Sequence, residues 1–127
     1  MLAGRAERGF PVDAPRLLAS GRGDERTLRF RDRDVPVVPV SADALAGLDV
    51  VLSAVSNPLA ERWVPVACAA GAVVVDNSSA FRMDPEIPLV VPEVNPHAIA
   101  QYRKRGIIAN PNCSTIQMVV ALKPIHD

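Results

Sequence analysis

No stretch of this chain stays apolar for the roughly 20 residues that a membrane-spanning helix needs. Its opening, MLAGRAERGF, carries charges but no apolar segment of the kind that marks a secretory leader. An excess of either charge is also lacking. Fourteen basic and fourteen acidic side chains cancel, so no overall field draws the protein to nucleic acid or to an anionic membrane. Cysteine is scarce. Cys68 and Cys113 sit in unlike surroundings with no metal-ligand spacing, which argues against a metal centre and for a reduced, cytoplasmic protein, while a lone disulfide stays open. Lysine is scarcer than arginine, two against twelve, a matter of codon composition rather than of function.

A glycine-rich phosphate turn is missing too. A dinucleotide-binding sheet normally opens with a strand that runs through G-x-G-x-x-G, or a relative, into the first helix. Here the first residues read as the tail of a helix running into FPVD, and no such turn occurs anywhere in the 127 residues. Hydrophobic residues make up 49% of the chain, enough for one domain with a core, but the length is small for a complete two-domain enzyme.

Strand-like apolar runs alternate with helical stretches, the pattern of an α/β fold with a mostly parallel sheet and flanking helices. RLLAS (16–20) is a short run ending in small residues. TLRFRDRDVPVVPV (27–40) has period-2 patterning and predicts two short strands at a sheet edge, where prolines are tolerated. LDVVLSAVS (48–56) reads as a strand covered on both faces. Asn57 is then expected to cap a helix from Pro58 to Gly71, kinked or split at Pro65. AVVVDNSS (72–79) predicts a second buried strand and PLVVPEVN (88–95) a third extended segment. A short charged helix capped by Asn95 should run from Pro96 to Arg105. GIIANPNCST (106–115) gives a last strand and turn, and IQMVVALKPIHD continues as a helix.

NPNCST is where chemistry concentrates. Asn110-Pro111-Asn112 forces a tight turn after a strand and leaves Cys113 at the start of an apolar helix. Free N–H groups and partial positive charge at such an end stabilise a thiolate and could hold an oxyanion. On spacing alone the plainer alternative carries more weight: a small residue at a helix start, with Asn112 or Ser114 as its cap. His97 and His126 are read as solvated, and Cys68, among alanines and valines, as a core residue.

Two long motifs in order, VVVDNSSAFRMDPEIPLVVPEVNP and GIIANPNCSTIQMVVALKPIHD, resemble the aspartate-semialdehyde dehydrogenase family nearly residue for residue, and FPVD–RLLAS upstream is similar. The resemblance implies an oxidoreductase that uses NADPH to reduce β-aspartyl phosphate to aspartate β-semialdehyde, releasing phosphate, on the route to lysine, methionine and threonine. It makes Cys113 the nucleophile that forms a thioester, and Arg82 and Asn112 the residues that hold the substrate phosphate. It places NADP at Ser20, Arg22, Gly23, Ser53, Ala54 and Asn77. The family often has Arg-Ser where this chain has Arg22-Gly23, so one hydroxyl contact is lost, and it commonly has glycine where this chain has Val55. Asp24 is poorly placed for a 2′-phosphate.

By this resemblance the chain is truncated at both ends. Residues 1–112 are a partial NADP-binding domain without the first strand and glycine-rich turn, an incomplete Rossmann-like sheet. Residues 113–127 form a nucleophile-bearing helix leading into an absent catalytic and dimerisation domain. The family's acid/base histidine and substrate-orienting glutamine lie in that later part, so the chain alone is expected to be inactive. Whole family members are homodimers or homotetramers acting on a small molecule. N-acetyl-glutamyl-phosphate reductase shares the chemistry but typically has glycine where this chain has Asn112. The alternative from another class is an inactive fragment, or a module that binds a nucleotide or partner without turnover.

Overall fold

In a computed structural model of the chain, residues 9–21 and 26–127 are described. The chain divides into two compact units, Met1–Ala44 and Leu45–Asp127.

The first unit holds a three-stranded sheet of β1 (Leu17–Ala19), β2 (Thr27–Phe30) and β3 (Arg33–Pro39), in the order β1-β3-β2. β1 runs parallel to β3, and β2 pairs with it as a hairpin in which Phe30 faces Arg33. The two-residue link leaves Arg31 at φ 52, the left-handed region that a tight hairpin turn demands and that L side chains enter at a cost. Arg31 also latches the preceding segment, donating to the Phe10 carbonyl at 2.7 Å and the Val12 carbonyl at 3.3 Å, while Arg33 donates to Asp13 O at 2.6 Å. A short helix α1 (Ala42–Leu45) follows, started by the Ser41 hydroxyl, which accepts from Ala44 N–H.

The proline-bearing run is not at the sheet edge as the sequence suggested: β3 is the middle strand. The bond from Val37 N–H to Arg26 O and that from Val40 N–H to Ala19 O show which way alternate residues face. Pro36 therefore turns its nitrogen toward the β1 side at a level before Leu17, where that strand begins. Pro39 turns its own toward the β2 side, beyond Thr27. Neither proline removes a ladder hydrogen bond.

The second unit is built on β4 (Val50–Ser53), α2 (Asn57–Ala69), β5 (Val73–Asp76), a 3-10 helix (Pro96–Lys104), β6 (Ile107–Ala109) and α3 (Cys113–His126). Its sheet, β4-β5-β6, is parallel throughout, with Ser53, Asp76 and Ala109 in register. Ala60, Val64 and Ala67 on one face of α2 are buried, as are Val74, Ile87, Val90, Val91, Ile107 and Ala109. With β5 in the centre, Val74 is fully enclosed. β4 is an edge strand and is not covered on both faces: Val50 is 51% exposed.

Four local expectations change. Asn57 does not cap α2; Ser56 occupies the cap position without a side-chain bond, and the Asn57 amide goes to Ser79. Asn95 does hold the cap position of the next helix, its carbonyl accepting from Ala98 N–H at 3.0 Å, but its side chain makes no cap bond. It accepts from Val91 N–H at 2.8 Å and donates to Leu89 O at 3.0 Å, which closes the loop before a helix of 3-10 rather than α type. PLVVPEVN contributes one isolated bridge, Leu89 to Ala109, instead of a strand. α2 runs unbroken through Pro65. Pro65 and Glu61, whose carbonyl loses its partner, both lie on the exposed side, where water can serve that oxygen.

Past the end of α2, Gly106 opens β6 at φ 74, and a Cβ there would stand 3.3 Å from the Cys68 sulfur. Cys68 is half-buried, its thiol 3.6 Å from the Gly106 carbonyl. Burial pushes that thiol above its ordinary pKa, and the nearby Arg105 charge offsets part of the rise. α3 has no buried residue, and Met118, Leu122 and Ile125 stand in the open. Among the described residues no helix is long and apolar enough to cross a membrane.

Candidate active site

The site grows out of the carboxyl ends of the parallel strands, where open α/β sheets take ligands. The ladder continues one step past the strands: Asn77 N–H donates to Ser53 O and Asn110 N–H to Asp76 O, each at 2.8 Å. The two asparagines then bond to each other, Asn110 Nδ2 to Asn77 Oδ1 at 2.6 Å. Arg82 returns across these strand ends. Its Nε donates to Asn110 O at 2.9 Å and one terminal nitrogen to Asn77 O at 3.1 Å. The half-buried guanidinium is thereby seated on the turn that leads to the cysteine, with Nη1 making no hydrogen bond among the described residues.

That turn is fixed by buried Pro111 and by Asn112, whose Oδ1 accepts from Ser114 N–H at 2.9 Å and whose carbonyl accepts from Ile116 N–H. Asn112 is thus a true N-cap. Cys113 is the first residue of α3 and its thiol is exposed. An accessible sulfur at a helix start, near a guanidinium with spare donors, suits attack on an electrophile that carries an anionic group.

The structure joins Arg82 and Asn77 to Asn110, and Asn112 and Cys113 follow on the same turn, with Ser53 joined through the Asn77 amide and exposed Ala54 beside it. Ser53 Oγ is buried without a hydrogen-bond partner among the described residues. Ser20 follows β1 in the first unit and is exposed. Arg22 and Gly23 lie outside the described residues, as does Asp24. His97 is exposed, and His126 sits at the far end of α3, 3.3 Å from Asp127. Neither belongs to the cluster. An apolar groove of about 290 Å³, lined by Val94, Val119, Leu122, Lys123 and His126, runs along the flank of α3 and contains none of the strand-end residues.

Sequence reasoning missed several members of this arrangement. Asn110 was read only as part of a turn, yet its side chain joins Asn77 and its carbonyl holds Arg82. Asn57 pins Ser79, with its Nδ2 at 2.7 Å from the hydroxyl and its Oδ1 accepting from Ser79 N–H at 3.1 Å. Asp76, fully buried, accepts the hydroxyl proton of Ser78. A polar residue at the end of a buried parallel strand was the available signal for Asp76. Nothing local marked the others.

The sequence profile of a family described as "Semialdehyde dehydrogenase, NAD binding domain" matches residues 2–102. Aspartate-semialdehyde dehydrogenase 2 of Vibrio cholerae is 54% identical over 127 residues, 100% of this chain but 38% of that protein. Aspartate-semialdehyde dehydrogenase of Aquifex aeolicus is 50% identical over 95% of this chain and 36% of its own length. Among solved structures, aspartate semialdehyde dehydrogenase II from Vibrio cholerae, complexed with ASA, superposes with a TM-score of 0.95 at 53% identity, covering 99% of this chain and 41% of that one. The Candida albicans enzyme with NADP gives a TM-score of 0.68 at 28% identity, over 89% of this chain and 39% of that one. The chain spans about two fifths of the length of the relatives it matches. Over that span it belongs to the semialdehyde dehydrogenase family, matching its NAD-binding domain and the aspartate-semialdehyde dehydrogenases within it.

Proposed function

We propose that this chain is the cofactor-binding and nucleophile-bearing part of an enzyme that reduces β-aspartyl phosphate to aspartate β-semialdehyde with NADPH, releasing phosphate, in lysine, methionine and threonine biosynthesis. The observation that carries the reading is the seating of Arg82 on the same Asn110–Asn112 turn that presents the exposed thiol of Cys113. The Cys113 thiolate attacks the acyl carbon. The carbon–oxygen bond to phosphate breaks, and a thioester remains on the sulfur. Arg82 offers its spare N–H groups to the phosphate oxygens as charge-assisted bonds, and Asn112, which caps the helix on the same turn, is the second residue assigned to that phosphate. Residues 1–112 serve the cofactor on this reading, and residues 113–127 carry the nucleophile toward the rest of the enzyme.

Membership in the family implies a cofactor of NAD(P) type, and the residues present suit part of one. Ser53 Oγ, buried and without a hydrogen-bond partner among the described residues, stands beside the small exposed Ala54 at a strand end, where a dinucleotide needs close approach and polar contact. Ser53, Ala54 and Asn77 are the residues of the second unit that would hold it, and the resemblance assigns Ser20, Arg22 and Gly23 to NADP as well. Arg22 favours the 2′-phosphate of NADP over the bare ribose of NAD, and the Candida albicans relative was solved with NADP. The chemistry drawn from a bound nicotinamide is hydride donation. No glycine-rich cradle for the pyrophosphate exists in the sequence, and no histidine stands beside Cys113 among the described residues. These 127 residues therefore complete acyl transfer but not turnover. The same resemblance supports a cytoplasmic enzyme assembled as a homodimer or homotetramer.

Acyl transfer is testable on the chain as it stands. Incubated with β-aspartyl phosphate, it should gain one acyl mass at Cys113 that hydroxylamine removes. Cys113→Ser should gain none, and Arg82→Ala should acylate about tenfold more slowly or worse, the loss of one charged hydrogen bond. A wild-type chain that stays unacylated at millimolar acyl phosphate would sink the reading.

A further inference from the structure

Asp76 takes no part in the acyl transfer described above, yet it is a fully buried carboxylate at the carboxyl end of the central strand. No ion pair neutralises it among the described residues. Oδ2 accepts the Ser78 hydroxyl, and Oδ1 has no hydrogen-bond partner among the described residues. A buried carboxylate left half-satisfied opposes folding, so it adds little to the stability of the sheet.

Its connections lead to the site instead. Ser78, 6% exposed, donates to Asp76 and accepts from Ala80 N–H at 3.2 Å. This relay ties the strand end to the far side of the turn. Asn77, enclosed within it, presents its carbonyl to Arg82, while the Asp76 carbonyl receives Asn110 N–H. Both carbonyls under the guanidinium thus belong to residues placed by Asp76, one through its side chain and one through its backbone.

We propose that Asp76 is a positioning residue: acting through Ser78, its carboxylate shapes the 77–80 turn that seats Arg82 beside Cys113. The proposal deepens the functional reading and rests on it for the role of Arg82, but the positioning itself is a matter of geometry. A second tether, from Asn57 to Ser79, holds the same turn from the exposed side and provides a control. Water competes for those exposed bonds, whereas nothing replaces the buried relay.

The test reads Arg82 directly. Phenylglyoxal labelling of the full chain, followed by mass spectrometry, compares Arg82 with exposed Arg103 in the same sample. Wild type should label slowly at Arg82. Asp76→Ala and Ser78→Ala should each raise that rate about tenfold, the worth of a lost charged hydrogen bond. Asp76→Asn, which keeps an oxygen for the Ser78 hydroxyl, should stay close to wild type, and Asn57→Ala should change it less than Ser78→Ala. Cys68 alkylation, read in parallel, reports whether the unit stays closed. In the acylation assay, Ser78→Ala should raise the half-saturating acyl phosphate about tenfold while leaving the maximal rate nearly unchanged. Unchanged Arg82 labelling in both relay variants overturns the proposal, and so does Cys68 opening in step with Arg82, which would make the relay a general prop of the fold. If the wild-type chain forms no thioester, the functional reading falls while the arginine labelling still decides the positioning.

Discussion

The two sheets use a similar alphabet, valine-rich runs broken by proline or glycine, and stabilise themselves by different means. In the sheet β4-β5-β6 the strands and α2 enclose Val74, Ile107, Ala60 and Val64, and burial of apolar surface does most of the stabilising. In the sheet β1-β3-β2 only Phe30 among the strand residues is buried, while Leu28 and Val38 remain over a third exposed. There the hairpin is fastened by arginine side chains donating to carbonyls of residues 10, 12 and 13. Such bonds, open to water, are each worth a fraction of their buried equivalents. The lesson is that a period-2 or continuous apolar pattern predicts a strand well, but whether the strand carries a core depends on what covers it.

The largest effect expected from that contrast is in the core. Ile107→Ala should destabilise the second unit by roughly 2–5 kcal/mol, read by urea denaturation with Trp63 fluorescence, whereas Val38→Ala in the first sheet should cost less than about 1 kcal/mol. Equal costs would erase the distinction. The latches come next. Arg31→Ala removes two carbonyl bonds and keeps a side chain at positive φ. Arg31→Gly removes the same bonds but relieves the backbone, so it should be the milder of the two by about 1 kcal/mol. Hydrogen exchange at the Phe30 and Arg33 amides measures this.

The smallest effect concerns pH. Because burial raises the Cys68 thiol in the folded state, its contribution is fully present below the unfolded thiol pKa of about 8.5 and is lost as pH rises through the higher folded value. The urea midpoint of wild type should slide above that pH more steeply than that of Cys68→Ala. Parallel slopes would show that the thiol is not shielded when folded.

How much of this was readable beforehand follows the range of each interaction. β5, β6 and the Asn110–Cys113 turn were legible because their causes are local: a buried apolar run, then a proline between asparagines, then a helix start. The roles of Arg82 and Cys113 come from resemblance, and the structure adds the Asn110 and Asn77 carbonyls that seat Arg82, the first of them on the turn leading to Cys113. Asparagine before a helix usually caps it with its side chain, yet Asn57 lies one residue past the cap position and Asn95 holds that position without a side-chain bond. The partner of the Asn57 side chain, Ser79, can be recognised only once the chain has folded back, whereas the Asn95 side chain turns to the adjacent Leu89–Val91 segment. The prolines of β3 were assigned to an edge because sequence does not say at which level a neighbouring strand starts. The β4 run reads as fully enclosed because a continuous apolar run looks the same at the edge of a sheet and in its middle.

Gly106 and Cys68 constrain each other in a way that bears on the order in which this sequence can change. A side chain at 106 faces both a left-handed backbone and the Cys68 sulfur at 3.3 Å from its Cβ. Asparagine tolerates that backbone better than other residues with a side chain, but it does not avoid the sulfur. Replacing Cys68 by alanine clears the sulfur first and makes Gly106→Asn admissible; taken in the reverse order, the intermediate is strained. Of the two mutational routes to the same double variant, the fold leaves one open.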